Sequence, residues 1–131
     1  MNGYVINLEE STLSNTDFRR VLYTAKNSQL VLMSLLPLED IGEEIHELDQ
    51  FIRIEQGECK AILDGVEHNI SDGFAVVVPA GTKHNFINTS SEKELKLYTV
   101  YSPSEHQDKV VRHTKLEAME NEEHFDGKTT E

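Results

Sequence analysis

Cysteine is nearly absent from the chain: Cys59 stands alone, so no internal disulfide can brace the fold. Nothing around Cys59 marks an activated thiol, and it reads as a small core residue following Gly57. Bases are scarce as well, 12 Lys and Arg against 24 Asp and Glu, for a formal net charge of −12. The few bases form no stripe, and a strong acidic surplus opposes a phosphate backbone, so no nucleic-acid partner is expected. The surplus reads as a solvated surface that repels highly anionic ligands and penalises small neutral or cationic ones less. No run approaches the roughly 20 apolar residues of a membrane span, and the N-terminus lacks a basic-then-apolar signal pattern. The expectation is a soluble cytoplasmic protein with no membrane partner. Internal repeats and low-complexity tracts are also missing, and 131 residues suit a single domain.

What the sequence does have is a series of short strand-like runs separated by turn chemistry. Val21-Leu22-Tyr23 is a candidate strand before the turn signal Lys26-Asn27-Ser28. Gln29 to Leu36 is apolar on both parities, as expected of a strand covered on both faces. Phe51 to Ile54, Cys59 to Leu63, Val66 to Ile70, Phe74 to Val78 and Leu95 to Tyr101 follow. Asp64-Gly65 joins two of them as a tight hairpin. Phe74 to Val78 reads as buried on both faces. Short strands spaced by Gly, Asp and Pro turns indicate an all-β sandwich or barrel. Residues 1–29 form an N-terminal segment, 30–103 the barrel, and 104–131 an acidic stretch with one short helix at Leu116-Glu-Ala-Met-Glu. Phe125 is the one apolar anchor at the end, which either packs on the barrel or stays loose.

The most informative stretch is Gly73, five residues, Pro79-Ala-Gly81, two residues, His84, three residues, Asn88. Pro79 and Gly81 set a turn, and His84, Phe86 and Asn88 then share one face of the next strand. At every defined position this resembles the second motif of the cupin superfamily, which implies a double-stranded β-helix, or jelly-roll, barrel. The family's first motif is similar to the stretch ending at Gly57. Its four metal-ligand positions fall here on Glu44, His46, Gln50 and His84, with Glu44 and His46 expected to begin the strand that bears the site. The family usually has three histidines and a glutamate there, so two imidazoles and two oxygen donors should hold an ion less tightly. The resemblance extends to short single-domain cupins grouped with mannose-6-phosphate isomerase-like proteins. It implies a divalent metal (Fe, Mn, Ni or Zn), a small-molecule ligand, and a homodimer formed through an N-terminal strand.

Each candidate has a plainer reading. His84 and His46 are metal ligands or core histidines satisfied by polar neighbours. Glu44 is a ligand or a solvated acid. Gln50 is a ligand, a backbone-bonded core amide, or a group that orients His46. Arg53 has opposite parity to Gln50 and reads as an outward salt bridge, His68 as an exposed hairpin residue, and His106, His113 and His124 as surface residues. Phe86, Tyr98 and Tyr101 read as packing residues, and Asn88 as the hydrogen-bonding closure of a turn. No basic cluster is visible at interior positions, which argues against a phosphosugar. Two functions follow: a metal-dependent enzyme with isomerase- or dioxygenase-like chemistry, or a non-catalytic binding barrel that has lost a full metal site. A partner-binding role for the acidic end is a third.

Overall fold

Asp64 and Gly65 both take positive φ (47° and 83°), the backbone a two-residue hairpin needs, and this sets Leu63 opposite Val66. The same chemistry recurs along the chain, which is a computed structural model describing all 131 residues. Helix α1 (Leu8–Ser14) comes first, followed by β1 (Arg19–Thr24), β2 (Gln29–Leu35), β3 (Asp49–Gln56), β4 (Glu58–Leu63) and β5 (Val66–Ser71). Strands β6 (Ala75–Val78), β7 (His84–Asn88), β8 (Leu95–Ser102) and β9 (Val111–Arg112) precede α2 (Lys115–Glu120). Two antiparallel sheets result, ordered β6-β3-β8-β2-β1-β9 and β5-β4-β7. Their inner faces meet in one core, an all-β jelly-roll barrel with a short C-terminal helix.

Alternation sorts the residues of β3. Gln50, Ile52 and Ile54 point inward, opposite Tyr101, Thr99 and Leu97 of β8. Arg53 faces outward, where it meets Glu55 at 3.5 Å. The inner surface is therefore apolar at one end, around Ile54, Leu97, Met33 and Val76, and polar at the other, around Gln50, Thr99 and Tyr101. Gly57 ends β3 at φ 111°, with Glu94 O and Leu95 Cα only 3.1 and 3.2 Å from where a Cβ would sit. Only glycine fits that combination of angle and contact.

Three sequence expectations change here. Phe74 to Val78 is not covered on both faces: β6 is an edge strand, and Phe74 and Val77 are 50% and 63% exposed because no element packs outside it. Residues 44 and 46 do not lie on a strand. The chain there is irregular, touching β7 only through a Glu44–His84 bridge before β3 begins at Asp49. The N-terminal segment holds a helix as well as the foreseen strand. Asn7 caps α1 by accepting from Glu10 N at 3.1 Å, an N-x-x-E signal legible in the sequence. The helix packs outside β8 and β3, where buried Lys96 donates to Asn15 O (2.6 Å), Ser34 Oγ (2.9 Å) and Glu94 Oε1 (3.0 Å). Strand β1 is paired on both sides by its own chain, with β2 and β9.

Beyond β8 the chain folds back over the polar end of the barrel. Gln29, 1% exposed, accepts from His106 N (2.9 Å) and donates to His106 O (2.7 Å), which pins this return. Further on, Phe125 N bonds Glu105 O at 2.7 Å, Thr130 N bonds Thr24 O at 2.9 Å, and Glu131 accepts from Asn2 N at 2.6 Å. The end of the chain is packed, the first of the two alternatives for Phe125.

Candidate functional site at the barrel mouth

The turn between β6 and β7 builds the site. Gly81, at φ 86°, donates its N–H to His46 O at 2.8 Å, while Glu44 and His84 exchange backbone bonds of 2.9 Å in both directions. These three bonds hold the irregular 44–46 segment across the start of β7. They bring the His46 and His84 rings to 5.1 Å between centroids, tilted by 47°. The two imidazoles read from separate motifs thus converge.

Each ring is then set by a polar neighbour. His84, 4% exposed, lies with Nδ1 2.8 Å from Thr82 O. A carbonyl only accepts, so Nδ1 carries the proton and Nε2 keeps its lone pair. His46 faces carboxylates on both sides, Glu44 Oε2 at 3.3 Å from Nε2 and Glu105 Oε2 at 3.6 Å from Nδ1. Burial nonetheless holds the His46 imidazole below its ordinary pKa, against the pull of Glu105. Burial likewise raises the Glu44 carboxyl, although 37% of its side chain meets solvent. Both shifts favour the uncharged forms, so the 3.3 Å contact is not a fixed ion pair.

Gln50 is 3% exposed, and its Nε2 donates to Thr99 Oγ1 at 3.0 Å, neither to the backbone nor to His46. Its Oε1 is buried with no partner. Tyr101 stands edge-on to both His46 (5.9 Å, 86°) and a third imidazole, His106 (5.2 Å, 82°).

His106 corrects the surface reading. It is 6% exposed, carried inward by the Gln29 clamp, whereas His113 and His124 are exposed as expected. Its Nδ1 lies 3.0 Å from Glu123 Oε1, and its Nε2 is buried without a partner. Burial lowers the His106 pKa. Burial is the largest influence on Glu123 and would raise it, but the hydrogen bond from His106 and the nearby charges of Arg19 and Arg112 together outweigh it, and the carboxyl falls below its ordinary value. A neutral imidazole therefore donates from Nδ1 to an ionised carboxylate, leaving Nε2 as an unmet acceptor. Ligand spacing could not reveal His106, because its place depends on a loop closing over the barrel.

A cleft of about 400 Å³ opens between the barrel and the returning chain. Phe18, Arg19, Ile41 and Glu44 line one side, and His106, Ala118, Met119 and Glu123 the other. Arg19 is the second residue that sequence reading passed over, a lone base at the inner face of β1.

The four family ligand positions divide in this geometry. Glu44, His46 and His84 are neighbours, and Gln50 is buried on β3, in the other sheet from His84. No three His, Cys, Asp or Glu side chains are grouped so as to hold an ion. His46 Nε2 faces Glu44 at 3.3 Å, which leaves only His84 Nε2 and the Gln50 amide oxygen as donors with no neighbour of their own. As folded, this donor set falls short of what a divalent cation requires.

The fold and the histidine-bearing mouth define a cupin barrel. A cupin domain model matches residues 31–101, more than half of the chain, and the chain belongs to that family. It is 44% identical over 128 residues to the uncharacterized protein YrkC of Bacillus subtilis, covering 92% of this chain and 68% of that protein. It is 50% identical over 107 residues to the uncharacterized protein L612 of Acanthamoeba polyphaga mimivirus, covering 79% and 67%. The crystal structure of BH2720 from Bacillus halodurans superposes with a TM-score of 0.89 at 39% identity, covering 92% of this chain and 96% of that one. No helix is long and apolar enough to cross a membrane.

Proposed function

We propose that this cupin binds a small molecule in the mouth of its barrel, with side chains contacting the ligand directly and no ion between them. The observation that carries this reading is a buried, unpartnered acceptor on a residue that lines the cleft, His106 Nε2. Buried polar atoms ordinarily find partners, and an unmet one costs about 1 to 3 kcal/mol. A ligand in the cleft bearing an N–H or O–H donor would supply the missing bond. The cleft, at about 400 Å³, falls within the range of roughly 300 to 1,000 Å³ usual for small-molecule sites.

A second reading, a divalent ion at Glu44, His46, Gln50 and His84, is favoured by one feature: His84 Nε2 and Gln50 Oε1 both keep lone pairs free. The isomerase- or dioxygenase-like chemistry expected from the resemblance belongs to that reading. A phosphosugar substrate of the mannose-6-phosphate isomerase-like kind has little support, because one arginine is no basic cluster.

Metal content separates the two. Wild type and His84→Ala are purified, reconstituted with iron, manganese, nickel or zinc, and measured by mass spectrometry. Protein that stays metal-free supports direct binding. Stoichiometric metal in the wild type, lost from the variant, would replace that reading with the ion.

A further inference from the structure

The chain has four arginines, and three of them are paired with acids. Arg20 Nε lies 2.9 Å from Asp17, Arg53 Nε 3.5 Å from Glu55, and Arg112 Nη2 3.3 Å from Glu123. Arg19 is the exception: no acid lies within ion-pair distance of it, and it lines the cleft at the barrel mouth with a buried Nε that, like those of Arg53 and Arg112, meets no hydrogen-bond acceptor. This is unexpected in a protein with twice as many acids as bases, in a cleft that Glu43, Glu44, Glu105, Glu122 and Glu123 also line, with Lys115 as its one other base. Four of these glutamates and the lysine have other charged or imidazole neighbours: Glu43 lies by Lys83 and Lys115 by Asp40. Glu44 and Glu105 face His46 at 3.3 and 3.6 Å, and Glu123 accepts from His106 and Arg112. The guanidinium is itself held in place, with Cζ 5.6 Å from the centroid of the buried Phe18 ring.

A fixed guanidinium with free donors is a fork shaped for a planar anion. We propose that Arg19 anchors a single carboxylate of the ligand, and that the ligand is a 2-hydroxy or 2-amino monocarboxylic acid. This rests on the reading that the mouth binds a small molecule. The charge of the cleft selects the class: one carboxylate is neutralised by Arg19, whereas a phosphate dianion would meet the surrounding glutamates with charge to spare. His106 supplies the rest of the specificity. Its unmet Nε2 accepts, so a hydroxyl or amino group beside the carboxylate completes the site.

The test is calorimetric binding to wild type, Arg19→Gln and Arg19→Lys. The probes are 2-hydroxy and 2-amino monocarboxylates of about two to eight carbons, sized to the cleft, their matched amides, and inorganic phosphate. A carboxylate should bind the wild type at least about tenfold more tightly than its amide and than phosphate, as expected of a charge-assisted pair. Arg19→Gln should erase that advantage, and Arg19→Lys should restore part of it, since lysine keeps the charge without the fork. Equal binding of acid and amide, unchanged carboxylate affinity in a folded Arg19→Gln, or tighter binding of phosphate would each overturn the assignment. Should Arg19→Gln not fold, the acid-against-amide comparison in the wild type decides. Amides that bind the wild type as tightly as the acids, but not His106→Ala, would sink the carboxylate and leave the mouth as a binding site. If no probe binds, both readings fall.

Discussion

Asn88 ends the motif that identifies the barrel, and its role is to hold the turn after β7 together. Its side chain is fully buried. Nδ2 donates to Lys93 O (2.9 Å), Leu36 O (3.0 Å) and Leu35 O (3.3 Å), and Oδ1 accepts from Ser90 N (3.0 Å). One amide thereby ties the β7–β8 connection to the end of β2. Asn88→Ala removes all four bonds. Leu36 O keeps a second donor in Glu39 N, and the Leu35 bond is long, so the main losses are at Lys93 O and Ser90 N. Each stranded group costs about 1 to 3 kcal/mol, and partial access to water at this turn trims the sum to about 2 to 4 kcal/mol.

Urea unfolding followed by circular dichroism measures this directly. With a slope of about 2 kcal/mol per molar urea, the midpoint should fall by roughly 1 to 2 M. Asn88→Asp is the sharper variant: it keeps Oδ1 but replaces a donor with an oxygen aimed at carbonyls, so at neutral pH it should destabilise at least as much as alanine. A change below about 0.5 kcal/mol in either variant would refute the bonding scheme, since surface substitutions alone give that much.

Two further outcomes are expected. Cys59 is 1% exposed and burial pushes its thiol up to about 12, so a thiol reagent such as Ellman's should modify native protein only at the rate of unfolding; rapid native modification would contradict its core position. His113 donates to Asp17 across 2.6 Å, and that hydrogen bond raises its pKa above 6.5. The contribution is therefore fully present below pH 6.5 and lost as pH climbs through the raised value. The gap in urea midpoint between wild type and His113→Gln should close over that rise, and a gap unchanged from about pH 5 to about pH 9 would rule out a protonic origin.

Much of the barrel was legible because its signals are local. Asp64-Gly65 demanded a hairpin, Pro79 and Gly81 a turn, and parity alone placed His84, Phe86 and Asn88 inward, where they are 4%, 1% and 0% exposed. Spacing from Gly57 reached His46, which does meet His84. Periodicity misled where coverage depends on a distant element. The run Phe74 to Val78 is apolar on both parities, yet it borders a sheet edge with nothing outside it. It also misled where backbone bonds replace a strand, as at Glu44 to His46.

Sequence by itself determined the class of fold, the strand order along the chain and the two imidazoles of the mouth, because turn chemistry and side-chain alternation act over a few residues. Only the tertiary structure decided what surrounds them. His106 is buried through Gln29, 77 positions away, and Arg19 shares a cleft with a helix nearly a hundred residues later. Burial and unmet hydrogen bonds are properties of such long-range neighbours, and they turn a conventional pair of histidines into a specific pocket.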